Sequence, residues 1–351
     1  MSMDDLAGRN ISLENHFQEM GKTHRPRYRF EGTDEASFLK WKSELRPQVL
    51  ASLKRTPEKV PLNPKVVSER VEDGIIKQRV ILDVEPNLCV AALLYRPEKS
   101  SGKLPAILCC HGHGPYGKDA VMGVRANPEM EKHIAQLNYD YGLQMAKAGF
   151  VTIAIDWRGF GERDDRRRGQ DVVHSRDICD VHYVRETLLG RTLLGMDVHD
   201  GRCVLDYLCT LDFVDANRLG VMGLSFGGTM TTWMALVDER LKAADIICYS
   251  DRFPSFGLTR ANFCGSQITP GLFELADVPD LHGLIAPRPL LVEIGKKDDC
   301  FLPEPAMSCY HEVEKIYQAA GAHEHLVLDL FDGGHQWGAN MSVRFFKKYL
   351  A

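Results

Sequence analysis

Ser225 stands in the stretch VMGLSFGG as Gly223-x-Ser225-x-Gly227. A serine hydroxyl is a weak nucleophile at neutral pH. It attacks an acyl carbon only when a base, itself oriented by a third group, removes its proton. His335, in DLFDGGHQW, follows the serine in chain order and lies on a glycine-flanked loop. That loop could carry an imidazole over a sheet edge, so His335 is the candidate base. The acid should fall between them, and LVEIGKKDDCFLP offers Asp298 and Asp299. Asp298 ranks first because it follows Gly295 closely and one of two adjacent acids usually faces solvent. Asp251, just after IICYS, is a third candidate.

Acyl chemistry of this kind also needs donors for a developing oxyanion. One candidate is the backbone N–H of Phe226, directly after the serine at the start of a helix, where the helix dipole reinforces it. The other is the N–H of His113 in CCHGHGPYGKD. That stretch also spells G-x-G-x-x-G with Gly112, Gly114 and Gly117. A dinucleotide fingerprint would open a helix directly and find its ribose-binding acid about twenty residues on. Here Pro115 and Tyr116 interrupt the glycines, and Asp156, at the end of the next strand, lies too far along. The loop therefore reads as backbone donors, and no nicotinamide, flavin or other cofactor is expected. Asp156 itself reads as a cap for its own loop, through Arg158 or Arg163. The pairs His111-x-His113 and His323-x-His325 lack a third ligand at fixed spacing, so no metal is expected either, and His111 reads as a residue that holds the loop.

These groups need a sheet whose strand ends converge. IIKQRVILD and LCVAALLYRP alternate like an antiparallel hairpin, and LPAILCCHG is apolar throughout, like a strand covered on both faces. FVTIAIDWRG, NRLGVMGL, KAADIICYS, APRPLLVEIG and HLVLDLFDGGH follow as further strands, separated by helical patterns such as residues 193–211. Alternation of this sort predicts an α/β fold: a mainly parallel central sheet, an antiparallel N-terminal edge hairpin and helices on both faces. The bend from strand to helix at Ser225 would hold that residue at strained angles, with small neighbours to avoid collision. Residues 1–70 read as a helical extension packed on the core through Phe38, Trp41, Leu45 and Leu50. Residues 71–351 form the main domain, with inserted segments at about 161–190 and 251–286. The insertions carry Tyr183, Phe253, Phe256, Phe263 and Phe273, which could line a restricted mouth or belong to the core.

The 351 residues carry 43 Lys and Arg against 48 Asp and Glu, a net charge of −5 with the signs interleaved. That balance favours neither nucleic acid nor a membrane surface. Ten cysteines without a C-x-x-C read as free thiols in a reducing compartment. The polar N-terminal stretch has no apolar centre, so a cytoplasmic protein is expected.

Taken in order, HGHG (111–114), DWRGFGER (156–163), GRTLLGMDVHD (190–200), MGLSFGG (222–228), IAPRPLLVEIGKKD (285–298) and FDGGH (331–335) resemble the α/β-hydrolase superfamily. Within it they are similar to the dienelactone-hydrolase-like and acetyl-xylan-esterase-like group. The resemblance implies Ser225, Asp298 and His335 as a triad, the N–H groups of His113 and Phe226 as oxyanion hole, and structural roles for Arg191 and Asp200. Related esterases place a proline four residues beyond the acid. Pro303 lies four beyond Asp299 and five beyond Asp298, so both acids stay open. The expectation is a serine carboxylic ester hydrolase acting through an acyl-enzyme on short acyl esters of sugars or small alcohols. A peptidase or amidase is the enzymatic rival, and a non-catalytic binding scaffold the other. The expected partner is a small-molecule ester, and a homo-oligomer stays open.

Overall fold

The computed structural model describes residues 9–168 and 177–351. Residues 1–8 of the extension and 169–176 of the first insertion lie outside the described residues. Nine strands form one sheet: β1 Lys65–Glu72, β2 Ile75–Glu85, β3 Leu88–Pro97, β4 Leu104–Cys110, β5 Val151–Ile155, β6 Val214–Leu224, β7 Leu241–Ile247, β8 Leu290–Gly295 and β9 Leu326–Phe331. Their spatial order is β1-β2-β3-β5-β4-β6-β7-β8-β9. β1, β2 and β3 pair antiparallel, and β3 is antiparallel to β5. From β5 through β4 to β9 every pairing is parallel. This is the α/β-hydrolase arrangement anticipated from the alternation of strands and helices.

Burial explains the pattern. β5 and β8 are buried along their whole lengths, as strands covered by helices on both faces must be. Alternate residues of β4 feed opposite faces: Leu108 packs with Trp157, Val198, Phe226 and Trp233 on one side, Ile107 and Cys109 with Tyr141, Met222 and Phe346 on the other. β1 is exposed at every position and so has no apolar alternation to read. The sheet consequently begins at Lys65, ahead of the hairpin, and the boundary drawn at residue 70 falls inside this strand.

The two helices of the extension pack on different parts of the main domain, and the buried stripe of the longer one differs at one position from the expected one. Helix Glu35–Ser52 starts at a reciprocal cap between Asp34 and Ser37 and buries Phe38, Trp41, Leu45 and Val49, whereas Leu50 is only half-buried. Helix Leu13–Thr23 lies against the aromatic second insertion, where Gly21 sits on Pro254 and Leu258. Helices not expected from the sequence include Pro128–Leu137, capped by Asn127 and burying Met130 and Ile134, and Ile178–Leu188 within the first insertion. Among the described residues no helix is long and apolar enough to cross a membrane.

Candidate active site

Ser225 follows β6, and helix Phe226–Val237 begins at the next residue. Its φ of 62° and ψ of −122° lie outside the regions that L-residues adopt freely. Such a bend is tolerable only if its neighbours lack side chains. A Cβ at Gly223 would come within 2.6 Å of the Cys110 carbonyl, and one at Gly227 within 2.9 Å of the Cys110 carbonyl carbon. The N–H of Ser225 donates to Ile247 O at 2.9 Å, tying the bend to the end of β7, and Gly228 N–H folds back onto Ser225 O at 2.7 Å. Phe226 is the first helical residue, so its N–H has no intrahelical acceptor.

The loop carrying His113 lies beside this bend. A Cβ on Gly112 would sit 3.4 Å from that of Ser225 and 2.8 Å from Leu224 O. Gly112 is therefore the glycine that lets the loop touch the nucleophile's turn. Its N–H donates to the Tyr139 hydroxyl at 2.5 Å, and the Tyr141 hydroxyl donates to Cys110 O. These two tyrosines hold the loop, and nothing in the linear motif signals them. His111 holds it too. Its Nε2 accepts from Trp157 N–H at 3.0 Å, leaving Nδ1 to donate to Gly112 O at 2.8 Å. Complete burial pushes this imidazole's pKa down to about 4, so it stays neutral.

Gly117 has a different task. Its φ is 52°, and any side chain there would overlap the Asp156 carboxylate. Asp156 does cap its loop, but its charge partner is Lys118 rather than an arginine. It accepts from Lys118 N–H and Lys118 Nζ, both at 2.8 Å, and from Glu162 N–H at 3.0 Å. Burial opposes the charge on Lys118, yet Asp156, Asp119 and Glu162 hold its pKa above the ordinary value. Arg158 and Arg163 bind Asp200 instead, at 2.8 and 2.7 Å. Burial alone would raise Asp200, but the two guanidiniums bring it to about 2. Arg191 pairs with Glu186 and Glu85, so Arg191 and Asp200 both sit in ion pairs that tie neighbouring segments together.

Of the three candidate acids, Asp298 is the one that meets His335. His335 Nδ1 donates to Asp298 Oδ2 at 2.9 Å, while Asp298 Oδ1 accepts from Cys300 N–H and Phe301 N–H, each at 2.8 Å. Asp299 is exposed, and its carbonyl oxygen receives Arg260 Nη2. Asp251 is buried and bonds its neighbour Arg252 N–H, and burial raises its pKa to about 6.

The histidine loop folds back across the strand ends. A Cβ on Gly295 would lie 2.8 Å from Gly333 O, so the end of β8 admits the loop closely. Cys248 Sγ donates to Gln336 O at 3.5 Å, and Cys248 follows Ile247, the residue that accepts from Ser225 N–H. His335 thus originates from β9, three strands from β6, yet its neighbours reach the end of β7, next to the serine. The Phe301 ring stacks on the imidazole at 5.8 Å, and Phe256 stacks on Phe301 at 4.1 Å.

The aromatics of the insertions divide. Phe253 and Phe256 are buried core residues, whereas Phe263, Phe273 and Tyr183 are half-buried. A cavity of about 230 Å³ opens beside the loop, lined by His113, Gly114, Phe160 and Cys179 among others.

A model of the Abhydrolase family matches residues 1–327. A Bacillus subtilis (strain 168) protein named "Putative hydrolase YtaP" is 26% identical over 318 residues, 88% of this chain and 100% of its own length. Among solved structures, one described as a putative acetyl xylan esterase from Bacteroides fragilis NCTC 9343 superposes with a TM-score of 0.73 at 21% identity, covering 94% of this chain and 84% of its own. A glucuronoyl esterase from Solibacter usitatus gives 0.68 at 16% identity, with 91% and 95% covered.

Proposed function

The chain belongs to the Abhydrolase family, and from that membership and the site's geometry we propose that it is a serine carboxylic ester hydrolase acting on short acyl esters of sugars or other small alcohols. The observation that carries this reading is the Asp298–His335 hydrogen bond of 2.9 Å, made on a loop that returns to the strand end beside Ser225.

With Nδ1–H committed to the carboxylate, His335 Nε2 keeps its lone pair and takes the Ser225 proton as the hydroxyl attacks the ester carbonyl. The tetrahedral oxyanion rests on the N–H groups of Phe226 and His113, each such donor being worth about 3 kcal/mol of transition-state stabilisation. His335 then protonates the leaving alcohol, and water activated by the same ring releases the acid from the acyl-serine. A short acyl group on a small alcohol is favoured because, among the described residues, the two insertions present half-buried aromatics (Tyr183, Phe263, Phe273) and no long apolar lid helix. The acetyl-xylan and glucuronoyl esterase likenesses point to the same class of carbohydrate ester.

The test is incubation with p-nitrophenyl acetate and with an organophosphonate. Turnover and a phosphonyl adduct on Ser225, both lost in Ser225→Ala, are expected. A wild-type protein with neither adduct nor turnover above the Ser225→Ala level would be a binding scaffold. Hydrolysis of small amides in preference to matched esters would make it an amidase.

A further inference from the structure

Three side chains that no linear motif connects meet at the His113 loop, beside the cavity that His113 and Cys179 both line. Cys179 is the second residue of helix Ile178–Leu188 in the first insertion, Cys264 belongs to the aromatic second insertion, and His113 follows Gly112. His113 Nε2 lies 3.5 Å from Cys179 Sγ, and one ligand atom from each of the three residues lies within 4.8 Å of the others. We propose that His113, Cys179 and Cys264 form a binding site for one zinc-class divalent cation.

The donor set fits such an ion. Two thiolates and an imidazole select Zn²⁺ over the oxygen-seeking Mg²⁺ and Ca²⁺, and the two sulfur charges neutralise the metal. Distance fits as well. Zn–S and Zn–N bonds of about 2.3 and 2.0 Å put tetrahedral edges at about 3.5 Å between sulfur and nitrogen and about 3.8 Å between sulfurs. The His113–Cys179 edge already has that length, and the remaining edges need only small side-chain rotations.

The surroundings also resemble a supported site. Ser266 Oγ lies 2.8 Å from Cys264 Sγ, a hydrogen bond that a coordinated thiolate would accept. Gly265 N–H donates to Asp180 Oδ1 at 3.1 Å, fixing the Cys264 segment to the Cys179 helix, and a side chain at Gly265 would overlap Tyr183. The Phe160 edge meets the His113 ring at 5.1 Å. Cys179 is buried while His113 is exposed, which leaves the ion a way in. Three protein donors leave the fourth vertex for water. Occupied, the site would clamp both insertions to the loop that carries His113, and it stands whether or not the chain hydrolyses esters, because its readout is spectroscopic.

The experiment titrates the reduced, chelator-treated full chain with Co²⁺ under anaerobic conditions. Thiolate-to-cobalt charge-transfer and tetrahedral d–d bands that saturate at one cobalt per chain and vanish on adding Zn²⁺ are expected. Cys179→Ser and Cys264→Ser should weaken binding by more than about 100-fold, and Ser266→Ala by about 10-fold, as loss of an outer-shell partner does. Cys248→Ser is the control, because Cys248, Asp298 and His335 also gather within 4.8 Å. It should bind cobalt like the wild type. Absence of the charge-transfer bands in the wild type, their survival in Cys264→Ser, or their loss in Cys248→Ser would each overturn the assignment.

Discussion

Replacing Asp298 by asparagine tests the site at its most specific point. Asp298 Oδ1 accepts two backbone N–H groups at 2.8 Å, from Cys300 and Phe301. An asparagine keeps those bonds by placing its carbonyl oxygen there, which turns its amide NH₂ toward His335 Nδ1. Two donors cannot face each other, so the imidazole moves its proton to Nε2 and presents Nδ1 as the acceptor. Nε2 then has no lone pair for the serine proton. A triad with its tautomer reversed typically loses about 10⁴ in kcat, or about 5.5 kcal/mol at 1.36 kcal/mol per tenfold. KM should change little, because the substitution leaves the cleft's lining in place. Asp299→Asn, on an exposed side chain, should stay within about threefold of wild type, as surface substitutions do. Both variants are assayed on p-nitrophenyl acetate, with thermal unfolding to show that each remains folded. A folded Asp298→Asn that retains a tenth or more of wild-type kcat, or an Asp299→Asn that falls as far as Asp298→Asn should, would refute the reasoning.

Gly117→Ala puts a methyl into the buried Asp156 carboxylate at a φ of 52° and should destabilise the fold by roughly 3 kcal/mol or more, read as a lower urea midpoint. Gly295→Ala should cost both stability and activity, since its methyl would press on the backbone oxygens of Gly334 and Gly333 and displace the histidine loop; kcat and the unfolding midpoint, measured together, report the two losses. Stability should fall in acid. His111 and His282 are buried with pKa values pushed down from 6.5 to about 4 and about 3, so the unfolded chain takes up their protons first. Their contribution is complete above pH 6.5 and drains away as pH falls toward 4, by roughly 3 kcal/mol or more for each ring. Among the described residues neither nitrogen of His282 has a hydrogen-bond partner, so His282→Leu should flatten the decline in urea midpoint between pH 7 and 4.5.

What the sequence made legible was local. The bend at Ser225 needs glycines two residues either side, and both are visible in a few letters of text, although much of the backbone they make room for, at Cys110 on β4, is distant in sequence. The succession of strands was legible because burial leaves mostly apolar runs such as VTIAI in β5 and LLVEIG in β8, whereas their spatial order, with β5 between β3 and β4, was not. β1 escaped because an exposed edge strand, KVVSERVE, has no face to hide and therefore no pattern. Helix Ile178–Leu188 escaped because it sits in a polar insertion and buries only Ile178, Cys179 and Val181. Asp156 illustrates a limit of a different kind. That it caps a loop was readable from its place after a strand, but its partner, Lys118, is brought to it by the chain's return through two helices and β5.

The same limit governs the acid. Asp298 and Asp299 are chemically identical neighbours, and the proline spacing of related esterases leaned toward Asp299. Their difference is made by Cys300 N–H and Phe301 N–H, which turn back to grip Oδ1 of Asp298 and so aim Oδ2 outward at a ring carried by another strand. Those donors exist whatever the residue types, because they are backbone groups, and only the path of the turn decides which carboxylate receives them. The cysteines repeat the lesson across a longer span. Cys179 and Cys264 are separated by two strands and three helices' worth of chain, and the thiols and His113 share a neighbourhood only because Gly265 allows Tyr183 to close on it and Asp180 binds its N–H. Motif spacing therefore finds chemistry built on one turn of chain, and it is blind to chemistry assembled where two insertions meet.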